Sequence, residues 1–303
     1  MANNNRVNHK ISTPPITHKQ KETHMFNTIK SIAQSKHESG PFIIRNLVNK
    51  GLNKAITKAL KYKETLVLYK GISLLDDETP IMLVMSGFTK DSTNVKTGPL
   101  VQLYILPVHE TPKDIYFSGS RAVCGDCKYN GNNGCYVRWS NLGSIWKSAK
   151  DQPAIPMTIS REFLKGLRIR VGAAGDPSAI PSSVWNRILG TCENYTGYTH
   201  QWNKEQFQDL KDLFMASVDN ARENEKARAL GWSTFFVTDS EEEAKKKGTR
   251  CLASAGKTDL HGLPTTCASC MLCNGKSRKQ KTITEVLHGA SNTVHKARKA
   301  RTA

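Results

Sequence analysis

Seven of the eight cysteines fall in two short stretches, and their spacing constrains this chain more than any other feature. The first stretch runs Cys124-Gly-Asp-Cys127 and, seven residues later, Cys135-Tyr136. The second begins at Cys251 and continues as Cys267-Ala-Ser-Cys270-Met-Leu-Cys273. A Cys-x2-Cys pair brings two thiolates from one tight turn to the same ion, and a further arm of chain completes the coordination. The Cys-x2-Cys-x2-Cys run places three thiolates within seven residues, a spacing that suits iron–sulfur ligation, in which each thiolate takes a different iron. Cys124, Cys127, Cys135, Cys251, Cys267, Cys270 and Cys273 are therefore the expected metal ligands, with zinc and an iron–sulfur cluster both open. His109, His261 and His288 could each replace a thiolate in a zinc site. Cys192 stands alone and reads as an ordinary buried thiol.

Metal ligation by so many thiolates implies a reducing compartment. The N-terminal stretch (MANNNRVNHKISTPP) is polar and lacks the apolar core of a secretory signal. No apolar run approaches the roughly 18–20 residues that span a bilayer. The expectation is a cytoplasmic protein with no membrane partner, whose clustered cysteines bind metal rather than form disulfides.

Charge is distributed unevenly. The net charge is +18, but residues 1–75 hold 13 Lys and Arg against 3 Glu, and residues 274–303 hold 8 against 1. The stretch between them is nearly neutral. Basic ends suit a polyanion, because neutralising phosphates releases counterions, so nucleic acid is the expected partner. Residues 1–40 read as a basic disordered arm. Residues 41–64 read as a basic amphipathic helix, with Ile44, Leu47, Val48, Leu52, Ile56 and Leu60 on one face. The phosphate-contacting candidates are Lys50, Lys54, Lys58 and Lys61 in that helix and Arg278, Lys279 and Lys281 in a basic tail over 276–303. Tyr136, Trp139 and Trp202 are candidates for stacking on single strands. Occupation of a protein partner by the basic helix is a further possibility.

Residues 65–275 form the expected core. Strands are predicted at 66–70, 81–86 and 100–106, and from residue 167 onward strands and helices alternate: strands at 167–171, 195–198, 213–218 and 234–237, and helices at 181–189, 204–211 and 219–230, the last with Asp219 as N-cap. Such alternation with short connections means α/β structure with parallel βα units, as a complete or partial (β/α) barrel. In such sheets chemistry collects at the carboxyl ends of the strands. Those ends carry Asp176, His200, Gln201 and Asp219, together with Ser217, and are expected to converge on one face. His200 can serve there as an acid–base group or a metal ligand.

The strings TNVKTG (93–98), CGDC…GCYV (124–137), GDP (175–177), TGYTHQW (196–202), MASVD (215–219), GWSTFFV (231–237) and CASCMLCNG (267–275) resemble, in this order, a family of cysteine-rich bacteriophage and prophage proteins. More distantly, Cys-Tyr after a cysteine pair and the Gly-Asp and Tyr-Thr strand ends resemble barrel enzymes of the radical S-adenosylmethionine class. That resemblance implies an iron–sulfur enzyme with S-adenosylmethionine as cofactor. The spacing of Cys124, Cys127 and Cys135 departs from the Cys-x3-Cys-x2-Cys motif of that class.

Overall fold

The computed structural model describes residues 65–87, 94–155, 164–258, 262–276 and 279–302. Ten strands form two five-stranded sheets. They are β1 (Thr65–Ile72), β2 (Pro80–Ser86), β3 (Val101–Pro107), β4 (Arg168–Ala174), β5 (Asn194–Thr196), β6 (Tyr198–Thr199), β7 (Met215–Val218), β8 (Thr234–Thr238), β9 (Thr249–Arg250) and β10 (Thr282–Val286). The first sheet has the order β1-β2-β3-β4-β5, antiparallel from β1 to β3 and parallel from β3 to β5. The second has the order β6-β7-β8-β10-β9 and is parallel throughout. The expected α/β class with parallel strands is thus present, while the described strands form two open sheets and close no barrel. β5 and β6 are separated only by Gly197, so the two sheets share one chain segment.

The eight described helices are α1 (Pro112–Ser118), α2 (Arg121–Cys124), α3 (Gly143–Ala149), α4 (Ser182–Leu189), α5 (Ala221–Ala229), α6 (Glu241–Lys247), α7 (Cys267–Cys270) and α8 (Ser291–Thr302). α4 buries Val184, Trp185, Ile188 and Leu189, a stripe at helical spacing, and Trp185 meets Phe214 edge-on at 5.4 Å between centroids. α6 is set by its ends: Ser240 accepts from the Glu243 N–H, three glutamates occupy the first turn and three lysines the last, which complements the helix dipole. α5 is capped by Asn220, whose side chain accepts from the Glu223 N–H. The predicted cap, Asp219, is instead drawn into an ion pair with Lys128. Residues 205–210, expected as a helix, form a 3-10 turn.

The parallel core continues beyond residue 275. β10 lies between β8 and β9, inside the span that reads as a basic tail. Its alternation is masked in the sequence because an inward position carries Glu285, 5% exposed, which ion-pairs with Lys96 at 3.1 Å and Arg250 at 3.4 Å. α8 also folds back. Its Arg298 and Arg301 pair with Asp239, and Arg301 donates to the carbonyls of Val237 and Asp219 at the carboxyl ends of β8 and β7. The arm 1–40, the amphipathic helix 41–64 with Lys50, Lys54, Lys58 and Lys61, and Arg278 lie outside the described residues. Among the described residues no helix is long and apolar enough to cross a membrane.

Gly175, at the carboxyl end of β4, has φ +80°, and a Cβ there would stand 2.6 Å from the Ile105 carbonyl oxygen and 2.8 Å from the Ile105 Cβ. A side chain meets both a left-handed backbone and a fixed strand. Gly175→Ala is expected to lower unfolding stability by about 2–4 kcal/mol, read as a lower urea midpoint with an unchanged denaturant slope.

Candidate functional site

Cys251, Cys267, Cys270 and Cys273 line one recess, together with Thr196, Arg250, Leu252, Ala253, Met271, Leu272 and Ile283. Backbone bonds fix the segments that present them. Cys251 N–H donates to the Thr284 carbonyl of β10 at 2.8 Å, Cys267 N–H to the Lys96 carbonyl at 2.9 Å and Ala268 N–H to the Thr97 carbonyl at 3.0 Å. α7 starts with a capping box in which Thr266 and Ser269 exchange bonds, and it ends at Met271 with φ +50°. That left-handed residue turns the chain so that Cys273 re-enters the sheet. The Cys273 carbonyl accepts from the Gly197 N–H at 2.9 Å, in the gap between β5 and β6. The Asn274 side chain donates to the Tyr195 and Met271 carbonyls at 3.2 and 3.0 Å. The Gly275 N–H donates to Leu213, and a Cβ at Gly275 would meet the Lys211 carbonyl oxygen at 2.5 Å.

Several groups are directed at the recess sulfurs. The Tyr198 hydroxyl hydrogen-bonds Cys273, and the Leu272 N–H hydrogen-bonds Cys270. Burial pushes the Cys273 thiol up to about 12; the Tyr198 bond opposes the shift and repulsion from Cys251, Cys267 and Cys270 adds to it. Burial also raises Cys267 and Cys270. The amino group of Lys281 faces Cys273 and Cys270, and burial depresses its pKa. It bonds the Asn274 side chain at 3.4 Å, so Lys281 is half-buried beside the recess rather than displayed to a phosphate.

The carboxyl ends of β4, β6 and β7 form a second cluster. Asp176 is 6% exposed and uses both carboxylate oxygens: one accepts from the Ser178 N–H and the Thr199 hydroxyl, the other from the His200 N–H at 2.8 Å. With the backbone so held, the His200 ring hydrogen-bonds Cys127. Burial alone would depress this imidazole, but the Cys127 sulfur, then Asp219 and Asp176, raise it to about 10. Gln201 holds the cysteine turn: its amide donates to the Cys124 carbonyl at 3.3 Å and accepts from the Asp126 N–H at 3.4 Å. Gly125 admits this contact, since a Cβ there would lie 2.6 Å from the Gln201 side chain. Asp219, 3% exposed, pairs with Lys128 at 3.2 Å and hydrogen-bonds Tyr129.

Asp176, His200, Gln201 and Asp219 therefore meet as the sequence predicts, and they meet around Cys124, Cys127 and Cys135. The sulfurs of these three cysteines lie near enough to repel one another as thiolates. Cys192 stands apart, donating to the Leu189 carbonyl. His109 and His288 are exposed, with His288 set between the Val286 carbonyl and Lys96, and His261 lies outside the described residues. Trp139 and Trp202 are 1% and 4% exposed, so neither can stack on a base; Tyr136, 62% exposed, can. Lys279 is exposed. Nothing in the sequence marks Tyr198 as a neighbour of Cys273, because the two meet only by tertiary packing; Trp139, four residues past Cys135, is near its sulfur in sequence as well as in space. As placed, no three His, Cys, Asp or Glu side chains among the described residues form a group that could hold an ion.

Comparisons with protein-family models, with curated proteins and with solved structures give no match, so the chemistry of the two cysteine groups rests on their own geometry.

The Lys128–Asp219 pair gives a direct check on the strand-end cluster. Removing Lys128 leaves a buried carboxylate without its cation, though Lys128 itself is 31% exposed, which moderates the cost. Lys128→Met is expected to destabilise the chain by about 1–3 kcal/mol. Adding Asp219→Asn should recover part of that loss in a double-mutant cycle of urea unfolding; strictly additive losses would contradict the pairing.

Proposed function

We propose that this chain is an iron–sulfur protein that associates with nucleic acid. In this reading Cys251, Cys267, Cys270 and Cys273 hold a four-iron cluster on the face of the parallel sheet. The observation that carries it is the recess: one thiol from the segment after β9 joins three from a Cys-x2-Cys-x2-Cys run that sequence separates from it by sixteen residues or more. Four thiolates are the full ligand set of such a cluster. Zinc is the competing occupant, but three ligands within seven residues suit a cluster, whose irons are spread apart, better than a single tetrahedral ion.

The donor set fits in other respects. Ligation needs each thiol to turn about its Cα–Cβ bond toward a common centre, and the backbone that carries the thiols is already fixed by the bonds described above. The Tyr198 hydroxyl and the Leu272 N–H would remain as hydrogen-bond donors to ligand sulfurs, a kind of contact that tunes cluster potential. Lys281 and Arg170, which face these sulfurs, would offset the negative charge of the thiolates. When bound, such a cluster supplies one-electron chemistry.

Nucleic acid is the partner that the charge supports, through residues 1–64 and the exposed lysines near the C-terminus. Part of the C-terminal charge is spent internally, since Arg298 and Arg301 pair with Asp239, which leaves the N-terminal arm as the larger contributor. A second reading, an S-adenosylmethionine-dependent enzyme, draws on one observation: Asp176, His200, Gln201 and Asp219 do gather beside a second cysteine group at the strand ends.

Two measurements test this. After anaerobic purification, the protein is expected to contain iron and sulfide and to absorb in the visible; Cys270→Ser should lose most of that iron, whereas Cys192→Ser should keep it. Colourless protein with equal metal content in both variants would defeat the cluster assignment. Binding to single- or double-stranded nucleic acid should weaken steeply between low and moderate salt, and deletion of residues 1–40 should flatten that dependence; an unchanged slope would remove the arm from the interface.

A further inference from the structure

We infer a second metal site, separate from the recess, in which Cys124, Cys127, Cys135 and the His200 ring hold one zinc-class ion. The four donors come from two places that the fold joins. Cys124 ends α2, Cys127 follows one turn later with its N–H on the Cys124 carbonyl at 3.2 Å, and Cys135 returns at the end of the following loop. His200 comes from the carboxyl end of β6, and its ring already hydrogen-bonds Cys127. Three thiolates and one imidazole make a closed tetrahedral set of the kind structural zinc sites use. The nitrogen donor and the Cys-x2-Cys-x7-Cys spacing distinguish this group from the all-sulfur recess.

An independent observation points to an occupant. Trp139 is 1% exposed, and its buried indole N–H faces the Cys135 sulfur but makes no well-formed hydrogen bond to it or to any other acceptor. A buried, unsatisfied N–H is costly. A zinc-bound Cys135 thiolate, drawn toward the ion, would be a strong acceptor for it, as outer-shell donors to metal ligands commonly are. The Val137 N–H, two residues past Cys135, is a second donor to that sulfur. The same logic explains the strand-end polar residues: Asp176 fixes the His200 backbone, Gln201 fixes the turn between Cys124 and Cys127, and neither has to react with anything. They are positioning residues for the ligands.

The test is metal analysis and zinc-edge X-ray absorption on the full chain, produced with iron and zinc both supplied. The expected result is one zinc per chain, with a first shell of three sulfurs near about 2.3 Å and one nitrogen near about 2.0 Å. Cys127→Ser and His200→Gln should lose that zinc and keep the visible absorption of the recess, and Cys270→Ser should do the reverse. Trp139→Phe should fold and weaken zinc retention against a chelator by about tenfold. Wild-type protein without zinc, a zinc shell without nitrogen, or iron that disappears with Cys127→Ser would each overturn the assignment. The wild-type spectrum decides even if a ligand variant fails to fold, and the opposite responses of Cys127→Ser and Cys270→Ser separate failure here from failure of the recess.

Discussion

Both cysteine groups hang from one segment, Thr196–Trp202, and each of its residues is committed. Thr196 lines the recess, and the Gly197 N–H holds the Cys273 carbonyl. The Tyr198 hydroxyl reaches the Cys273 sulfur, and the Thr199 hydroxyl bonds Asp176. The His200 ring reaches Cys127, Gln201 holds the Cys124 carbonyl, and the Trp202 indole donates to Ser217. The segment addresses the two groups in turn: Thr196, Gly197 and Tyr198 serve the recess, and His200 and Gln201, past the end of β6, serve the first cysteine group. Gly197 is the necessary break. A Cβ there would stand 2.7 Å from the Phe214 ring, so a side chain at this point would push the sheets apart where the Cys273 loop enters.

The segment also explains why two open sheets behave as one scaffold. β5 ends the first sheet and β6 begins the second, with Gly197 alone between them. The Asn274 side chain closes the same junction from the loop side, and Glu285 ties the edge by pairing with Lys96 and Arg250. The thiols are thus presented from backbone already held by ordinary hydrogen bonds and ion pairs. Were metal bound there as proposed, it would require mainly side-chain rotation, the entropy of ordering the loops being already met by packing.

How much of this was legible in the sequence varies with the kind of signal. The strand–helix alternation after residue 167 was readable because each element is short, periodic and bounded by Gly, Pro or Asn. Asp176 follows β4 of the first sheet while His200, Gln201 and Asp219 follow β6 and β7 of the second, so their convergence depends on the β5–β6 junction as well as on parallel strands. Their roles were not legible, because a carboxylate that spends both oxygens on Ser178, Thr199 and His200 looks the same in sequence as one that moves protons. β10 was missed because Glu285 occupies an inward position, and a charge there breaks the apolar pattern unless its partners Lys96 and Arg250, both far away in sequence, are known. Trp139 and Trp202 read equally as stacking candidates or as core, for want of any apolar period around them, and packing buries both.

The basic C-terminus shows how a charge count and a fold diverge. Arg301 reads as one more cation in a solvated tail, but its guanidinium lies against the carbonyls at the ends of β7 and β8 and against Asp239. Carbonyls at the carboxyl ends of parallel strands have no next residue in the ladder to satisfy them, so a planar, multi-donor cation is well matched to several at once. Docking α8 there also covers the loop that carries Cys135: a Cβ at Gly134 would stand 2.4 Å from the Ala297 backbone nitrogen, and Lys296 donates to Asn132 at 2.8 Å. The helix therefore does structural work for the first cysteine group, and under the proposed nucleic-acid association any phosphate contact from this end of the chain would fall to the cations that face away from it.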